Sequence, residues 1–163
     1  MSVVTERNAW LALLDAGVWA GWSAAAGYAA HKIPVARLQR DAGLLRLKRV
    51  EQDPSFYERR LRIKRWKDLL PEAGTLFAGG FSKRHVARRD RAYLERFIAE
   101  TRRAELTHWL VMGATPFFFL WNPWWLGLVM AAYGVIANVP CIIIQRYNRA
   151  RLSRMLARVT ASR

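Results

Sequence analysis

The stretch ETRRAELTHW, residues 100–109, places two carboxylates, two arginines and a histidine directly before an apolar segment. The chain continues as LVMGATPFFFLW to residue 121, and a second apolar run, PWWLGLVMAAYGVIANVPCIII, covers residues 123–144. Between the two runs, Asn122-Pro123 is a turn signal. The sequence therefore predicts an antiparallel helical hairpin over residues 105–144.

The apolar runs of the hairpin approach or reach the length needed to cross a membrane. A hydrocarbon core of ~30 Å takes about 20 residues of α-helix, which rises ~1.5 Å per residue. The run at 123–144 meets that length, whereas the run at 106–121 meets it only if its charged N-terminal turn is also drawn toward the membrane. Trp121, Trp124 and Trp125 surround the turn, and indole rings are typical of a membrane–water interface.

A third apolar segment lies at residues 9–30 and holds a single charged residue, Asp15. Its length predicts another transmembrane helix. A cleaved signal peptide is the alternative, since small residues end the run, but Glu6 beside Arg7 gives a poor basic leader and Asp15 interrupts the apolar stretch. We therefore expect residues 1–30 to be retained, with Asp15 facing a neighbouring helix or lying near the outer interface.

The charge distribution orients these helices. The chain has 27 Lys and Arg against 12 Asp and Glu, a net charge of +15, and the last 19 residues hold six arginines and no acid. Because loops rich in Lys and Arg stay cytoplasmic, we expect the basic region at residues 31–104 and the C-terminus inside the cell and the Trp-rich turn outside. A nucleic-acid-binding surface would not require apolar runs of 22 residues, so nucleic acid is not an expected partner.

These observations predict an all-α integral membrane protein with about three transmembrane helices and a basic interfacial helical midsection. It would be a multi-pass protein of the cell membrane, and residues 1–163 would form a single membrane domain. The predicted parts are a transmembrane helix at 9–30, a basic cytoplasmic or interfacial region at 31–104, a transmembrane hairpin at 105–144 and a basic cytoplasmic tail at 145–163.

Within the basic region, Asp53-Pro54 is typical of a helix start and Pro71 of a helix end, which predicts one helix over residues 55–70. Its apolar side chains, which fall near one stripe among Arg and Lys, are Phe56, Ile63, Trp66 and Leu70. Such a helix can lie in the headgroup plane with its basic side chains on lipid phosphates. Packing of the same stripe on a small cytosolic subdomain is the alternative.

The two arms of the hairpin are polar at the same end. Reflection about the turn places His108 level with Ala137 and Asn138, and Glu105 level with Pro140. Glu105 and His108 share a helix face because they are three residues apart. Unpaired polar groups at that depth are costly, so such groups indicate a functional site. The sequence thus predicts a polar pocket at the cytoplasmic edge of the membrane.

A histidine beside a carboxylate can act as general base toward a hydroxyl, with His108 taking the proton and Glu105 favouring the imidazolium. Asn138 would fix the ring or bind the acceptor. The arginines that would hold the phosphate of an acyl donor are Arg103, Arg146 and Arg149. A structural role is the alternative, in which Glu105 and His108 only hold the two arms together.

Two other constellations compete with this pocket. His85 and Asp90 match the H-x-x-x-x-D pattern of glycerolipid acyltransferases, although the other blocks of that pattern are absent from the sequence. A metal site would need Glu100, Glu105 and His108 together. The single cysteine excludes an intrachain disulfide and a multi-cysteine metal site. We expect neither a metal nor a cofactor.

The residues of the hairpin resemble a known family. ETRRAELTHW at 100–109 and YGVIANVPCIIIQRYNRARLSRML at 133–156 are similar to the C-terminal half of the glycosyl-diaponeurosporenoate acyltransferases, small membrane enzymes that esterify the sugar of a carotenoid glycoside. The similarity is broken at residues 112–128 and thins to RIKRWK in the midsection. His85 has a counterpart in that family and Asp90 has none, which weakens the H-x-x-x-x-D pattern.

The resemblance implies transfer of a fatty acyl group from an activated donor, an acyl thioester acting as co-substrate, to a sugar hydroxyl of a glycosylated carotenoid or similar glycolipid. Membrane lipids, the acceptor and the donor would be the partners, and the oligomeric state stays open. A non-catalytic membrane assembly or lipid-binding protein is the alternative. The matched positions that would form the site are Glu100, Arg103, Glu105, His108, Asn138, Gln145, Arg146, Tyr147, Asn148 and Arg149. His85 is the second choice for the base.

Overall fold

The computed structural model describes residues 3–69 and 91–161, and within these ranges it is helical without any strand. The all-α class is therefore confirmed. The α-helices among these residues are α1, Val3–Lys32; α2, Pro54–Arg60; α3, Arg91–Met112; and α4, Trp124–Ala161. The 3₁₀ segments are Val35–Leu38, Gly43–Leu45, Arg49–Gln52, Ile63–Arg65, Lys67–Leu69 and Thr115–Leu120.

The helix predicted over residues 55–70 is wrong in length, because α2 ends at Arg60. Asp53-Pro54 does start the helix, and the Asp53 side chain accepts a hydrogen bond from the Ser55 backbone N–H at 2.9 Å. Arg62 then adopts a left-handed conformation with φ at 47°, which an α-helix does not contain. The chain continues from there as 3₁₀ turns.

The apolar side chains of this region pack on the C-terminal half of α4. Ile63 is fully buried in a cluster with Tyr147, and Phe56 and Trp66 cover the same cluster. Leu70, the fourth member of the predicted stripe, lies outside the described residues. This packing favours the alternative in which the stripe packs within a small subdomain of the protein.

The first arm of the hairpin is bent. α3 ends at Met112, and Thr115–Leu120 form a 3₁₀ segment before the turn at Asn122-Pro123. Pro116 explains the bend, because its ring carries no N–H and clashes with a preceding helical turn. The predicted hairpin is therefore wrong in one respect, since its first α-helix ends at Met112 and does not continue to the turn. The turn and the antiparallel pairing of α3 with α4 are as predicted.

α1 packs against the bend of the hairpin. Trp19 of α1 stacks on Phe118 with ring centroids 4.8 Å apart. A Cβ at Gly134 of α4 would lie 2.9 Å from the Trp19 ring and closer still to the Thr115 side chain. The absence of a side chain at position 134 therefore lets α1, the bend and α4 meet.

Asp15 faces the hairpin turn, in agreement with one of the two predicted positions. Its Oδ1 atom accepts hydrogen bonds from Trp121 Nε1 at 2.8 Å and from Asn122 Nδ2 at 2.9 Å. The residue is 2% exposed. Gly17 and Gly21 of the same helix face open space, since a Cβ built on either would meet nothing within 4 Å. The buried carboxylate thus joins α1 to the turn.

Large apolar side chains cover the outside of α1, the hairpin bend and the N-terminal half of α4. Trp10 is 73% exposed, Trp124 72% and Ile136 72%. Within the described ranges one helix, α4, is long and apolar enough to cross a membrane. Only 22% of its most apolar window is buried, unlike the core helix of a soluble protein. The structure supports membrane association, and the number and direction of crossings stay predictions.

Candidate active site

The first polar cluster between α3 and α4 centres on Glu105, which is fully buried. Its Oε1 atom accepts hydrogen bonds from Arg146 Nε at 2.7 Å and from Trp109 Nε1 at 3.2 Å, and its Oε2 atom lies 2.8 Å from Arg149 Nη2. The sequence had placed Glu105 level with Pro140 instead. Side chains lean toward the N-terminus of their own helix, so in an antiparallel pair the glutamate and the arginines lean toward each other.

The two arginines also bind residues 43–52, called the basic loop below. Arg146 donates to both carboxylate oxygens of Glu51, at 3.0 and 3.1 Å, and to the Leu44 carbonyl at 2.6 Å. The other arginine is fully buried and donates to the Leu45 carbonyl at 2.7 Å. The cluster around the buried glutamate therefore pins the basic loop to α4.

Arg103 and Glu100 belong to a different contact, at the end of α1. Arg103 Nη1 donates to the carbonyls of His31 at 2.8 Å and Ile33 at 2.9 Å, and also to that of Ala30. Its Nε donates to Glu100 at 3.0 Å. A cation suits these carbonyls because the C-terminus of a helix is electronegative. These two predicted site residues thus hold α1 to α3.

Tyr147 holds α2 against α4. Its hydroxyl donates to Glu58 Oε1 at 2.9 Å. Hydrogen bonds from Lys64 and then from Tyr147 hold the pKa of the Glu58 carboxyl below its ordinary value. Gln145 and Asn148, two further predicted residues, are partly buried, and their side chains make no hydrogen bond with the rest of the described chain.

The second polar cluster joins His108 to Asn138, with 3.0 Å between His108 Nδ1 and Asn138 Oδ1. Asn138 is buried, and its Nδ2 atom donates to the Gly134 carbonyl at 2.9 Å, which fixes the orientation of the amide. Oδ1 can only accept, so Nδ1 of the histidine must donate. The neutral ring then presents the lone pair of Nε2, which bonds to no other residue that the structure describes.

Glu105 forms no hydrogen bond or ion pair with that ring, so the predicted pairing of Glu105 with His108 is wrong in its geometry. The carboxylate instead accepts a charge-assisted hydrogen bond from Arg146 and forms an ion pair with Arg149. Asn138 fixes the ring, as one of its two predicted roles requires. The structure therefore divides the predicted pocket into an arginine–glutamate cluster and a histidine–asparagine pair.

The described residues hold no group of three or more His, Cys, Asp or Glu side chains that could bind a metal ion. Glu100, Glu105 and His108 are not assembled as metal ligands, because both carboxylates face arginines and the ring faces an amide. His85 and Asp90 lie outside the described residues, so the H-x-x-x-x-D pattern stays a hypothesis.

Sequence reasoning missed the acidic partners of the arginines. Asp41 accepts a hydrogen bond from Arg102 Nε at 2.6 Å, and Glu51 binds Arg146. Asp41 and Glu51 are the only acids within residues 31–52. Their isolation in a basic region was the signal from which their pairing with arginines could have been predicted. Their partners lie 61 and 95 residues away along the chain, which hid the pairing.

Most of this chain is similar in sequence to known proteins. Residues 41–158 match the family model described as glycosyl-4,4'-diaponeurosporenoate acyltransferase. Proteins of that name from Staphylococcus aureus strains USA300 and NCTC 8325 are each 33% identical over 106 residues, which is 65% of this chain and 64% of theirs. The match thus spans less than two thirds of those relatives' length. No solved structure matches the chain. By the extent of the family match, the chain belongs to the glycosyl-4,4'-diaponeurosporenoate acyltransferase family.

Proposed function

We propose that this chain transfers a fatty acyl group from an activated thioester to a sugar hydroxyl of a glycosylated carotenoid or similar glycolipid at the cell membrane. The observation that carries the proposal is the contact of His108 with Asn138, which makes Nδ1 the donor and leaves Nε2 as the ring nitrogen that can accept a proton. Family membership supports the reaction class, because the relatives are named as acyltransferases acting on a glycosyl-diaponeurosporenoate.

In the proposed reaction, His108 Nε2 takes the proton of the sugar hydroxyl while the hydroxyl oxygen attacks the thioester carbonyl carbon. The new ester C–O bond forms, the C–S bond breaks, and the histidine returns the proton to the leaving sulfur. While the ring is an imidazolium, Asn138 Oδ1 still accepts from its Nδ1–H and keeps it oriented. The reaction balances without a cofactor.

The position of His108 suits an acceptor that is apolar at one end and polar at the other. Toward the hairpin turn the neighbouring surface is apolar, with Leu110 and Ile136 exposed. One helical turn in the other direction, the arginine cluster around Glu105 begins. A lipid-like tail would lie along the apolar surface in the membrane, which α1 and the hairpin would cross, with the sugar at His108 and the basic loop on the cytoplasmic side.

Glu105 would act as a positioning residue in this mechanism. Its contacts with Arg146 and Arg149 set α3 against α4 and thereby set His108 against Asn138. Gln145 and Asn148 would contact the acceptor, since their side chains have no partner among the residues described.

Substitution of His108 tests the proposal. We expect His108→Ala to lower ester formation by roughly 100-fold or more, the loss that removal of a general base produces, while membrane expression is retained. The readout is transfer of a labelled acyl chain from a thioester to a glycolipid fraction by the purified protein. His31→Ala is the matched control, because His31 is exposed at the end of α1. Full turnover by His108→Ala would remove the histidine from this role.

A non-catalytic membrane assembly or lipid-binding protein is the second candidate. It is favoured by the internal contacts that occupy Arg103, Glu105, Arg146 and Arg149 and so give them a structural use. The same assay separates the two candidates, because a scaffold forms no ester with any acyl thioester offered. Glycolipid that copurifies unmodified with the wild-type protein would support the second candidate.

A further inference from the structure

The arginines that the sequence assigned to donor phosphate are occupied within the protein. Arg103 binds carbonyls at the end of α1, and Arg146 binds two carboxylates and a carbonyl. Arg149 is fully buried against Glu105 and the Leu45 carbonyl. A phosphate group on the donor therefore needs other cations.

The outer side of the basic loop supplies such cations. A surface depression there is lined by Gly43, Arg46, Leu47, Lys48, Arg49 and Gln52, and none of these residues is acidic. Arg46, Lys48 and Arg49 are exposed, and their side chains form no ion pair within the described part of the chain. Three unpaired cations thus converge on one concave surface.

Buried contacts hold this loop in shape. The carbonyls of Leu44 and Leu45 accept hydrogen bonds from arginines of α4, and Leu47 is 5% exposed in the cluster with Tyr147. Glu51 is not among the residues that line the depression, and its carboxylate accepts hydrogen bonds from the Lys48 backbone N–H at 2.7 Å and from Arg146 of α4. A loop fixed in this way loses little conformational entropy when an anion binds.

We propose that the basic loop binds the phosphate groups of the activated acyl donor through Arg46, Lys48 and Arg49. Guanidinium and ammonium groups form charge-assisted hydrogen bonds with phosphate oxygens. The loop is tied through Arg146 to Glu105, which lies one helical turn from His108. A donor whose phosphates are separated from its thioester by an extended arm would reach from the loop to the histidine. This inference rests on the proposed acyl transfer for the identity of its ligand.

Binding of coenzyme A to the full chain tests the inference. The protein is placed in nanodiscs of neutral phosphatidylcholine, and coenzyme A is titrated by calorimetry. Replacement of Arg46, Lys48 and Arg49 together by Gln should weaken binding roughly tenfold or more, because three charge-assisted contacts are lost. The matched control replaces Arg37, Arg65 and Arg158 by Gln, which removes the same charge from exposed positions that do not line the depression. Its affinity should stay within about twofold of wild type, as expected for distant surface charges at ordinary salt.

The inference would be overturned by wild-type protein that does not bind coenzyme A, or by a loop variant that binds it as wild type does. Loss of wild-type binding in nanodiscs containing phosphatidylglycerol would also overturn it, since lipid headgroups would then occupy the loop. His108→Ala should bind coenzyme A normally. Protein that binds coenzyme A at the loop but forms no ester would contradict the proposed function and leave the phosphate site intact.

Discussion

Asp15 and Glu105 are both buried carboxylates, yet the two ends of the helical bundle hold them differently. Asp15 accepts hydrogen bonds from the neutral N–H groups of Trp121 and Asn122, whereas Glu105 faces the guanidinium groups of Arg146 and Arg149. Asp15 lies at the apolar end and Glu105 at the basic end. Within the described residues, cations thus pair with the buried carboxyl group at the basic end, where they are in excess, and not with the one at the apolar end.

The two arrangements predict different losses of stability when the carboxyl group is removed. Removal of one member of a buried ion pair leaves its partner charged without compensation, whereas removal of Asp15 leaves two neutral donors. We therefore expect the basic end to be more sensitive to loss of its carboxylate than the apolar end.

The largest expected effect is that of Glu105→Leu. It leaves Arg146 and Arg149 without their shared carboxylate, and we expect the free energy of unfolding to fall by about 3–5 kcal/mol. Denaturant titration of the purified protein in detergent measures the change. Glu95→Leu, which removes an exposed ion pair with Arg91, is the control and should change stability by no more than about 1 kcal/mol. Equal effects of the two variants would contradict the role given to Glu105.

Asp15→Leu should have the next largest effect. It leaves the N–H groups of Trp121 and Asn122 unbonded at the turn, and we expect the free energy of unfolding to fall by about 2 kcal/mol. Ala16→Leu, at an exposed position of the same helix, should change stability by less than about 0.5 kcal/mol. A loss as large as that of Glu105→Leu would remove the contrast between the two ends.

Gly134→Ala sharpens the comparison at the apolar end, where α4 approaches Trp19 and Thr115 closely. The added methyl group must displace these side chains, and we expect the free energy of unfolding to fall by about 1–2 kcal/mol. Gly21→Ala meets open space and should instead stabilise α1 by about 0.5–1 kcal/mol, as alanine does in an exposed helix. Opposite signs in a thermal unfolding assay are the expected result.

The smallest expected effect is that of Asp53→Ala at the basic end. Hydrogen bonds from the Ser55 side chain and backbone hold the pKa of the Asp53 carboxyl below its ordinary value of 3.8. Its contribution to stability is therefore present above pH 3.8 and is lost as pH falls through the lower pKa of the folded state. The variant should have a slightly lower Tm than wild type at pH 7, and the gap should narrow on acidification. Asp53→Asn keeps a capping oxygen and should remove the pH dependence of the gap.

Local signals identified the elements whose causes are local. The cap at Asp53-Pro54 and the turn at Asn122-Pro123 are both present. The bend at Pro116 was equally readable, because proline breaks a helix, but the apolar run masked it. The left-handed Arg62 had no sequence signal, since that conformation is unusual for a residue other than glycine.

The candidate site was predictable only in part. Reflection about the turn predicted that His108 and Asn138 lie at a similar depth, and the two side chains are in contact. The pairing of Glu105 did not follow, because arginine side chains extend over more than a helical turn and compete for the same carboxylate.

The sequence by itself determined the helical class, the apolar runs, the hairpin turn and the excess of positive charge, because each depends on neighbouring residues or on composition. The tertiary structure decided which charges are buried in pairs and which remain on the surface. Arg146 and Glu51 are 95 residues apart and meet only because the basic loop folds back on α4. Ion pairing depends on the distance between two charges in space. Composition alone does not say which arginine of the chain lies near an acid.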